Sequence, residues 1–331
     1  MKHNIKFKKK SFTISSSDLI LSKILLLPSI FFIGIFVYGC IIWTGYVSFS
    51  KWDGILPNYD FNGFKNYFEL FQTDRFLIDI RNTLSFTVLF LLSCLSIGFI
   101  LALLLDYTKE LSNLFQGIFL FPMAVSFIVS GVVWRWILNP VSGINNLMHI
   151  IGFESFNPKW YTDPTVIHFK AESGLGKLLS NIGLEFLTSD KIGISVAIFS
   201  LVIAACWQFS GYTMAMYLGA IKNIPSSIRE AAKIDGTTEL EYIIYIVIPI
   251  LRPITFGAII ILGHISLKIF DLVSAMTGPG PGFATDVPAY FMFDTSFKGN
   301  HFSQGAAVSI IILILVTILI VPYLKYTEEL R

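Results

Sequence analysis

Charge is what this chain has least of. Only 14% of its 331 residues are Asp, Glu, Lys or Arg, while 54% are hydrophobic. Soluble domains are about a quarter charged, so a single water-soluble globule is excluded. Cysteine is scarce too. Cys40, Cys94 and Cys206 lie in apolar runs and show no paired spacing, so neither a disulfide framework nor a thiolate metal centre is indicated. Each reads as a small buried hydrophobe. The five histidines are scattered without an H-E-x-x-H pattern, and the apolar runs hold no carboxylate cluster. Nucleotide signatures are missing. "GLGK" at Gly174 to Lys177 lacks the upstream glycine spacing of a P-loop, and Leu178 stands where Ser or Thr is required. "GPGPG" follows an apolar run with no strand–helix unit around it, so it is no dinucleotide fingerprint. Catalysis, a metal or a cofactor on this chain is therefore not expected. A net charge of +2 gives no reason to expect nucleic acid.

Long apolar runs are what the chain does have. Crossing a hydrocarbon core of ~30 Å takes roughly 20 helical residues, and six runs qualify. They cover Ile24–Ser48, Leu84–Leu105, Leu114–Leu138, Ile192–Leu218, Ile243–Leu267 and Ala306–Tyr323. Blocks of this length exclude a transmembrane β-barrel, whose strands alternate apolar and polar residues. The fold expected is all-α and polytopic, with a basic tail over 1–23 and one transmembrane domain over 24–331. Five lysines in "MKHNIKFKKK" favour a cytoplasmic N-terminus. A polar spacer follows, the apolar block is span-length, and no A-x-A site comes after it, so the first run reads as a retained helix and not a signal peptide. Six spans then return the C-terminus to the cytoplasm. Three outer segments remain: Lys51–Thr83, Asn139–Lys191 and Thr277–Gln304. Trp52, Trp160, Pro140 and "GPGPG" suit interfacial caps. Within the second, "SGLGKLLSNIGLEFL" reads as a short amphipathic helix.

One polar stretch stands out against this background, "IPSSIREAAKIDGTTELEYIIYIVIPILRP" from Ile224 to Pro253. Pro225 suits a first helical turn, and helix formers dominate from Ser226 to Asp235. Ile228, Ala231 and Ala232 share one face. Gly236 fits a helix C-terminus needing left-handed φ. Thr238 with Glu241 then forms a capping box for a second helix, leading into the fifth span. Small residues flanked by Arg229, Glu230, Lys233 and Asp235 suit a docking knob over about 222–242. A turn lying on the membrane surface has the same periodicity, and both readings stand on pattern alone.

Polar and aromatic groups inside spans are costly enough to point to function. His264, Lys268 and Asp271 fall at i, i+4 and i+7, as a solute lining or, for the last two, an ion pair at the bilayer edge. Trp207 and Tyr212 suit stacking on a solute, with Gln208 and Ser210 as hydrogen-bonding neighbours; packing is the alternative for both aromatics. Arg135, between Trp134 and Trp136, reads as part of an interfacial belt.

The polar stretch resembles the EAA loop of the membrane subunits of binding-protein-dependent ABC importers. Glu230, Ala231, Ala232, Asp235, Gly236, Pro249 and Pro253 match that pattern, while Ile243 stands where an aromatic is usual and Thr237 where a small residue is usual. "FNGFKNYFELF", "RNTLSFTV", "WRWILNP", "KWYTDP" and "GPGPGFATDVPAYFMFDTSF" are similar to the sugar-permease branch. "LKIFDLVSAMTGPGPGFATDVP" looks closest to permeases for α-glucosides and glucosylglycerol. The resemblance implies that Arg229, Glu230, Ala231, Ala232, Asp235 and Gly236 form the coupling helix that docks on an ATPase. It implies a second homologous permease, two cytosolic ATPase subunits that bind ATP and Mg, an extracytoplasmic solute-binding protein, and a sugar-like solute. The setting implied is the bacterial cytoplasmic membrane. It also implies a solute path at Gln208, Tyr212, His264 and Ser266, beside the Trp207 and Lys268 read above, and leaves open which permease of the pair holds the sugar. A stand-alone secondary transporter, the alternative class, would need coupling-ion carboxylates or inverted repeats in the spans, and neither is evident.

Overall fold

The computed structural model describes residues 16–108, 111–168 and 193–329. The lysine-rich tail and the expected amphipathic helix over 173–187 lie outside the described residues. The first apolar run becomes α1 (Ser16–Ile33), a π-helical stretch over Gly34–Gly39, and α2 (Cys40–Ser48). Its apolar side chains from Ile24 to Tyr38 are exposed, as a lipid-facing helix requires, and α2 packs against the final helix. After α2 comes α3 (Lys65–Gln72). The buried Asn66 ties it back, donating to the Ser48 and Ser50 carbonyls at 2.8 and 2.9 Å.

The second span is longer than its apolar core. α4 (Asp74–Tyr107) has 34 residues, about 51 Å at 1.5 Å per residue, because the polar segment before Leu84 is helical as well. The third run departs from expectation. In place of one straight span it forms α5 (Ser112–Leu120), a 3-10 turn over Phe121–Ala124 and α6 (Phe127–Ile137), bent by 99°. Pro122 sits in the turn, Val125 is extended, and the Ser126 hydroxyl caps the new helix by accepting from the Val129 N–H. Proline disrupts the helical ladder here and a polar cap restarts it.

α7 (Ile144–Ile150) follows. Buried Asn145 accepts from Trp160 Nε1 at 2.7 Å and donates to the Pro140 and Pro158 carbonyls. One amide thus gathers "WRWILNP" and "KWYTDP" into a single cap. A two-residue antiparallel pair, β1 (Val166–Ile167) and β2 (Ile194–Ser195), leads into α8 (Val196–Lys222). Then come α9 (Ser226–Ile234) and α10 (Glu239–Tyr242), which runs through a π-helical stretch (Ile243–Val247) into α11 (Ile248–Leu267). The chain closes with α12 (Asp271–Met276), α13 (Pro288–Phe293) and α14 (Phe302–Glu329). Among the described residues five helical runs are long and apolar enough to cross a membrane, and six if the bent pair counts as one.

The most extensive helix contact is α4 on α8. Gly98 lies against Thr213, where a Cβ would collide, and the Thr213 hydroxyl donates to the Cys94 carbonyl at 2.7 Å. Small residues allowing close backbone approach are the usual membrane helix contact. Phe86, Phe90 and Phe209 fill one end of the seam; Ala102, Met214, Tyr217 and Leu251 fill the other.

The start of α4 holds the "GPGPG" loop, whose Gly278, Gly280 and Gly282 all have positive φ. Asn82 donates to the Phe283 and Asp286 carbonyls at 2.8 and 3.0 Å. Arg75 pairs with Asp286 at 2.7 Å and Asp294 at 2.9 Å, beneath the rings of Phe283 and Phe291. The Asp286 side chain is 0% exposed. Burial pushes its carboxyl above the ordinary range, and the Arg75 guanidinium opposes that shift. Removing one partner of a buried pair costs about 3–5 kcal/mol because the other charge is stranded. Arg75→Met should therefore lower the thermal unfolding midpoint of the purified protein markedly, and adding Asp286→Asn should restore part of the loss.

Candidate functional site

At the opposite end of the bundle, α9 projects between α8 and α10. Its C-terminus is a full Schellman turn. Gly236 has φ +76°, the Gly236 N–H bonds the Lys233 carbonyl at 3.1 Å, and the Thr237 N–H bonds that of Ala232 at 3.1 Å. Thr237, the departure from the usual small residue, adds its hydroxyl to the Ala232 carbonyl at 2.5 Å. The capping box is present as expected: Thr238 N–H donates to the Glu241 carboxylate at 2.7 Å, and Glu241 N–H to the Thr238 hydroxyl at 3.3 Å. Both helix ends meeting at Gly236 thus satisfy their orphan backbone groups locally, so the projection holds its shape without outside contacts.

The faces of α9 differ from the sequence expectation in one respect. Ala232 is buried against the rest of the chain, whereas Ile228, Ala231 and Ile234 are exposed, Ile234 at 86%. The outward stripe is therefore i, i+3, i+6, because Ala232 is the residue that seats the helix. Glu230, Lys233 and Asp235 flank it in solvent. Glu230 makes no hydrogen bond or ion pair among the described residues. Arg229 does the reverse and turns inward, 3.5 Å from Asp106 and 3.4 Å from Glu239.

The residues expected to line a solute path on α8 and α11 are mostly engaged inside the chain. Gln208 is 2% exposed, and its amide donates to the Val125 carbonyl at 2.7 Å. That carbonyl belongs to the α5–α6 break, where the helical ladder gives it no partner. In hydrocarbon a freed backbone group must be satisfied from within the protein, and Gln208 does this. Gly211, one turn on, lies so close to the Phe119 carbonyl that any Cβ would collide. Ser266 is fully buried and donates to the Gly263 carbonyl at 2.8 Å. Tyr212 packs partly buried at the Phe86, Phe90 and Phe209 end of the α4–α8 seam. Trp207 is 39% exposed and meets Trp134 edge-on at 6.0 Å. His264 is partly buried, with Nδ1 unpartnered. Among the described residues, no hydrogen bond joins any two of the six.

The expected face of His264, Lys268 and Asp271 is interrupted. α11 ends at Leu267, Lys268 takes φ −115°, and Asp271 opens α12 as a separate helix. Both Lys268 and Asp271 are exposed and make no ion pair with each other. The positions share a helical spacing in sequence, but the helix stops between them.

Periodicity missed a cavity of about 230 Å³ between α4, α8 and α11, lined by Leu95, Ser96, Phe99, Tyr217, Ile248, Leu251 and Thr255. The Tyr217 and Thr255 hydroxyls lie 3.1 Å apart across it. Sequence reading also missed Asp106 and Tyr107, which gain meaning only through their contact with Arg229.

The family of binding-protein-dependent transport system inner membrane components matches residues 94–326. The chain belongs to that family. A probable ABC transporter permease protein of Pyrococcus horikoshii is 34% identical over 315 residues, covering 95% of this chain and 98% of the relative. The xylose/arabinose import permease protein XacH of Haloferax volcanii is 32% identical, over 88% of this chain and 82% of its own. The sn-glycerol-3-phosphate transport system permease protein UgpA of Yersinia pseudotuberculosis is 27% identical, covering 82% and 81%. Among solved structures, a bacterial ABC transporter involved in import of the acidic polysaccharide alginate shares the fold. Its TM-score is 0.71 at 22% identity, over 92% of this chain and 94% of that one. A second structure of the alginate transporter, in complex with a pentasaccharide-bound periplasmic protein, gives 0.70 at 23% identity over 92% and 93%.

In this permease, the matched region spans everything from the middle of α4 to α14, including α9 and the α5–α6 break. Gln208 is the residue on which that break depends. Leaving a buried acceptor unpaired costs about 1–3 kcal/mol. Gln208→Leu should lower the unfolding free energy by that amount, read from denaturation of the purified permease in detergent.

Proposed function

We propose that this chain is the membrane-spanning permease subunit of an ATP-driven importer for a sugar or sugar-like solute, powered through α9 by a separate ATPase. The observation that carries this reading is α9 itself. It is a self-capped helix that presents an apolar stripe of Ile228, Ala231 and Ile234 with an unpaired Glu230 beside it. Exposed apolar stripes with polar rims mark helix-docking surfaces. Ala231, small and central, lets a partner backbone come close, and Glu230 supplies a charge that sets register. Arg229, Ala232 and Gly236 hold this shape and angle from within, while Asp235 flanks the stripe in solvent.

The α9 end then faces the cytoplasm with both termini, as the lysine-rich N-terminus indicates. A solute-binding protein delivers its load at the other end, where "GPGPG" and Tyr290 to Phe297 lie, with Phe297 65% exposed. A second, homologous permease completes the pathway, and two ATPase subunits bind ATP and Mg. The chain has no catalytic function of its own in this scheme. The membrane is the cytoplasmic one. Relatives that import pentoses and a glycerol phosphate by name, together with the sequence likeness to sugar permeases, support a polyhydroxylated solute, with α-glucosides, disaccharides and glucosylglycerol as the finer candidates. Trp207, Tyr212, His264 and Lys268 are the positions left to touch it, because the donors of Gln208 and Ser266 are engaged inside the chain. ATP-driven closure of the partner dimer favours one of two bundle arrangements through differential contacts at α9.

Gly236 gives the test. A Cβ there meets nothing within 4 Å, so the penalty of a side chain is conformational alone, on the order of 1–2 kcal/mol for left-handed φ. Gly236→Val should tilt α9 and abolish both sugar uptake and solute-stimulated ATP hydrolysis in membrane vesicles. Ala231→Cys should cross-link to a copurifying ATPase. Survival of uptake and stimulated hydrolysis in the Gly236 variant, with no cross-link, sinks the reading.

A further inference from the structure

Arg229 lies in the helix proposed to dock, yet its guanidinium points away from the docking stripe. Nη1 reaches Asp106 at 3.5 Å and Nη2 reaches Glu239 at 3.4 Å. The guanidinium carbon also lies 5.3 Å from the centre of the Tyr107 ring and 5.5 Å from that of Tyr242. The Tyr107 hydroxyl closes the group by donating to Glu239 at 2.9 Å. One cation therefore sits between two carboxylates and two aromatic rings drawn from three elements: the last turn of α4, the middle of α9 and α10.

The topology gives this group its meaning. α9 is joined to α10 by the short turn at Gly236, so the fifth span feels any movement of α9 through the backbone. α4 has no such link, since Asp106 and Arg229 are separated by 123 positions in the chain. Arg229 ties α4 directly to α9 at this end, beside the Tyr107–Glu239 hydrogen bond that ties α4 to α10. α4 is also the helix most extensively packed on α8, and its far end holds the outer loop through Arg75 and Asn82. A displacement entered at Asp106 thus acts on a rod that reaches the opposite face of the bundle.

We infer that Arg229 is an internal strut that makes α9 and α4 move as one body, so that the stroke received by α9 is passed to the second span as well as the fifth. This rests on the docking of an ATPase at α9 proposed above. Arginine is specific to the position. A planar guanidinium can lie against two rings while its separate N–H groups reach two carboxylates, and an ammonium cannot. Partly exposed pairs of this length contribute little to stability, so the strut can be removed without unfolding the chain. Its role is positional: it touches neither solute nor nucleotide.

The experiment uses the complete importer in proteoliposomes, with spin labels on Thr108→Cys and Ser227→Cys, both exposed positions flanking the group. With native Arg229, the distance between the labels should stay the same with and without ATP. In Arg229→Met it should broaden or shift between the two states, and solute imported per ATP hydrolysed should fall by about tenfold while the ATPase still copurifies. Arg229→Lys should recover only part of that ratio, and Asp106→Asn should lower it in the same direction. A label distance that changes with ATP in the native background overturns the strut, as does an unchanged import ratio in Arg229→Met. Loss of ATPase copurification in Arg229→Met overturns it also, by making Arg229 a docking residue. If Ala231→Cys never cross-links to an ATPase in the native complex, the docking reading itself falls, a failure distinct from the others.

Discussion

The close approach of α4 and α8 is the contact on which the other elements rest. It exists because Gly98 offers no side chain where Thr213 needs room, and because Thr213 then bonds the Cys94 carbonyl. In an apolar medium burial of hydrocarbon does not draw helices together; close packing and interhelical hydrogen bonds do. With these two helices locked, α5 lies on α8 at Gly211, α11 packs on both, and the open cavity at Tyr217 and Thr255 lies between α4, α8 and α11. Each end of the seam then carries a charged group that reaches another part of the chain: Arg75 at one end, Arg229 bound to Asp106 at the other.

The polar residues of the spans make sense within this frame. In lipid, every break in a helix must be repaired by the protein. The 99° bend after Pro122 frees the Val125 carbonyl, and Gln208 takes it. Helix ends at the α9 projection are closed by the Schellman turn and the capping box. The "GPGPG" loop, irregular because three glycines have positive φ, is closed by Asn82 and Arg75. Polar side chains that look from the sequence like solute contacts are thus partly the repair groups of an interrupted bundle.

Much of this was legible in the sequence, for physical reasons that can be named. Long apolar runs and scarce charge require membrane helices, whatever their neighbours. Gly236, Thr238 and Glu241 act over four or five residues, so the helix–glycine–helix shape follows from local chemistry and appears as read. Longer-range features were not legible. The third run is apolar throughout, and apolarity cannot distinguish a straight helix from one bent at Pro122. His264, Lys268 and Asp271 keep helical spacing on paper, but α11 stops at Leu267. Ala232 looked like part of an outward face until the seat of α9 on its own chain buried it.

By itself, then, the sequence determined the solvent of this protein, its helical class, and the local form of the projection between the fourth and fifth spans. These depend on composition and on contacts within one or two turns. Only the tertiary structure decided which side of α9 is free, that Gln208 serves a carbonyl 83 positions away, and that Arg229 faces Asp106 instead of a partner. The reason is one of range. A side chain's hydrogen bonds and charge pairs are made with whatever the fold brings within about 3–3.5 Å, and no short-range pattern encodes which distant turn that will be.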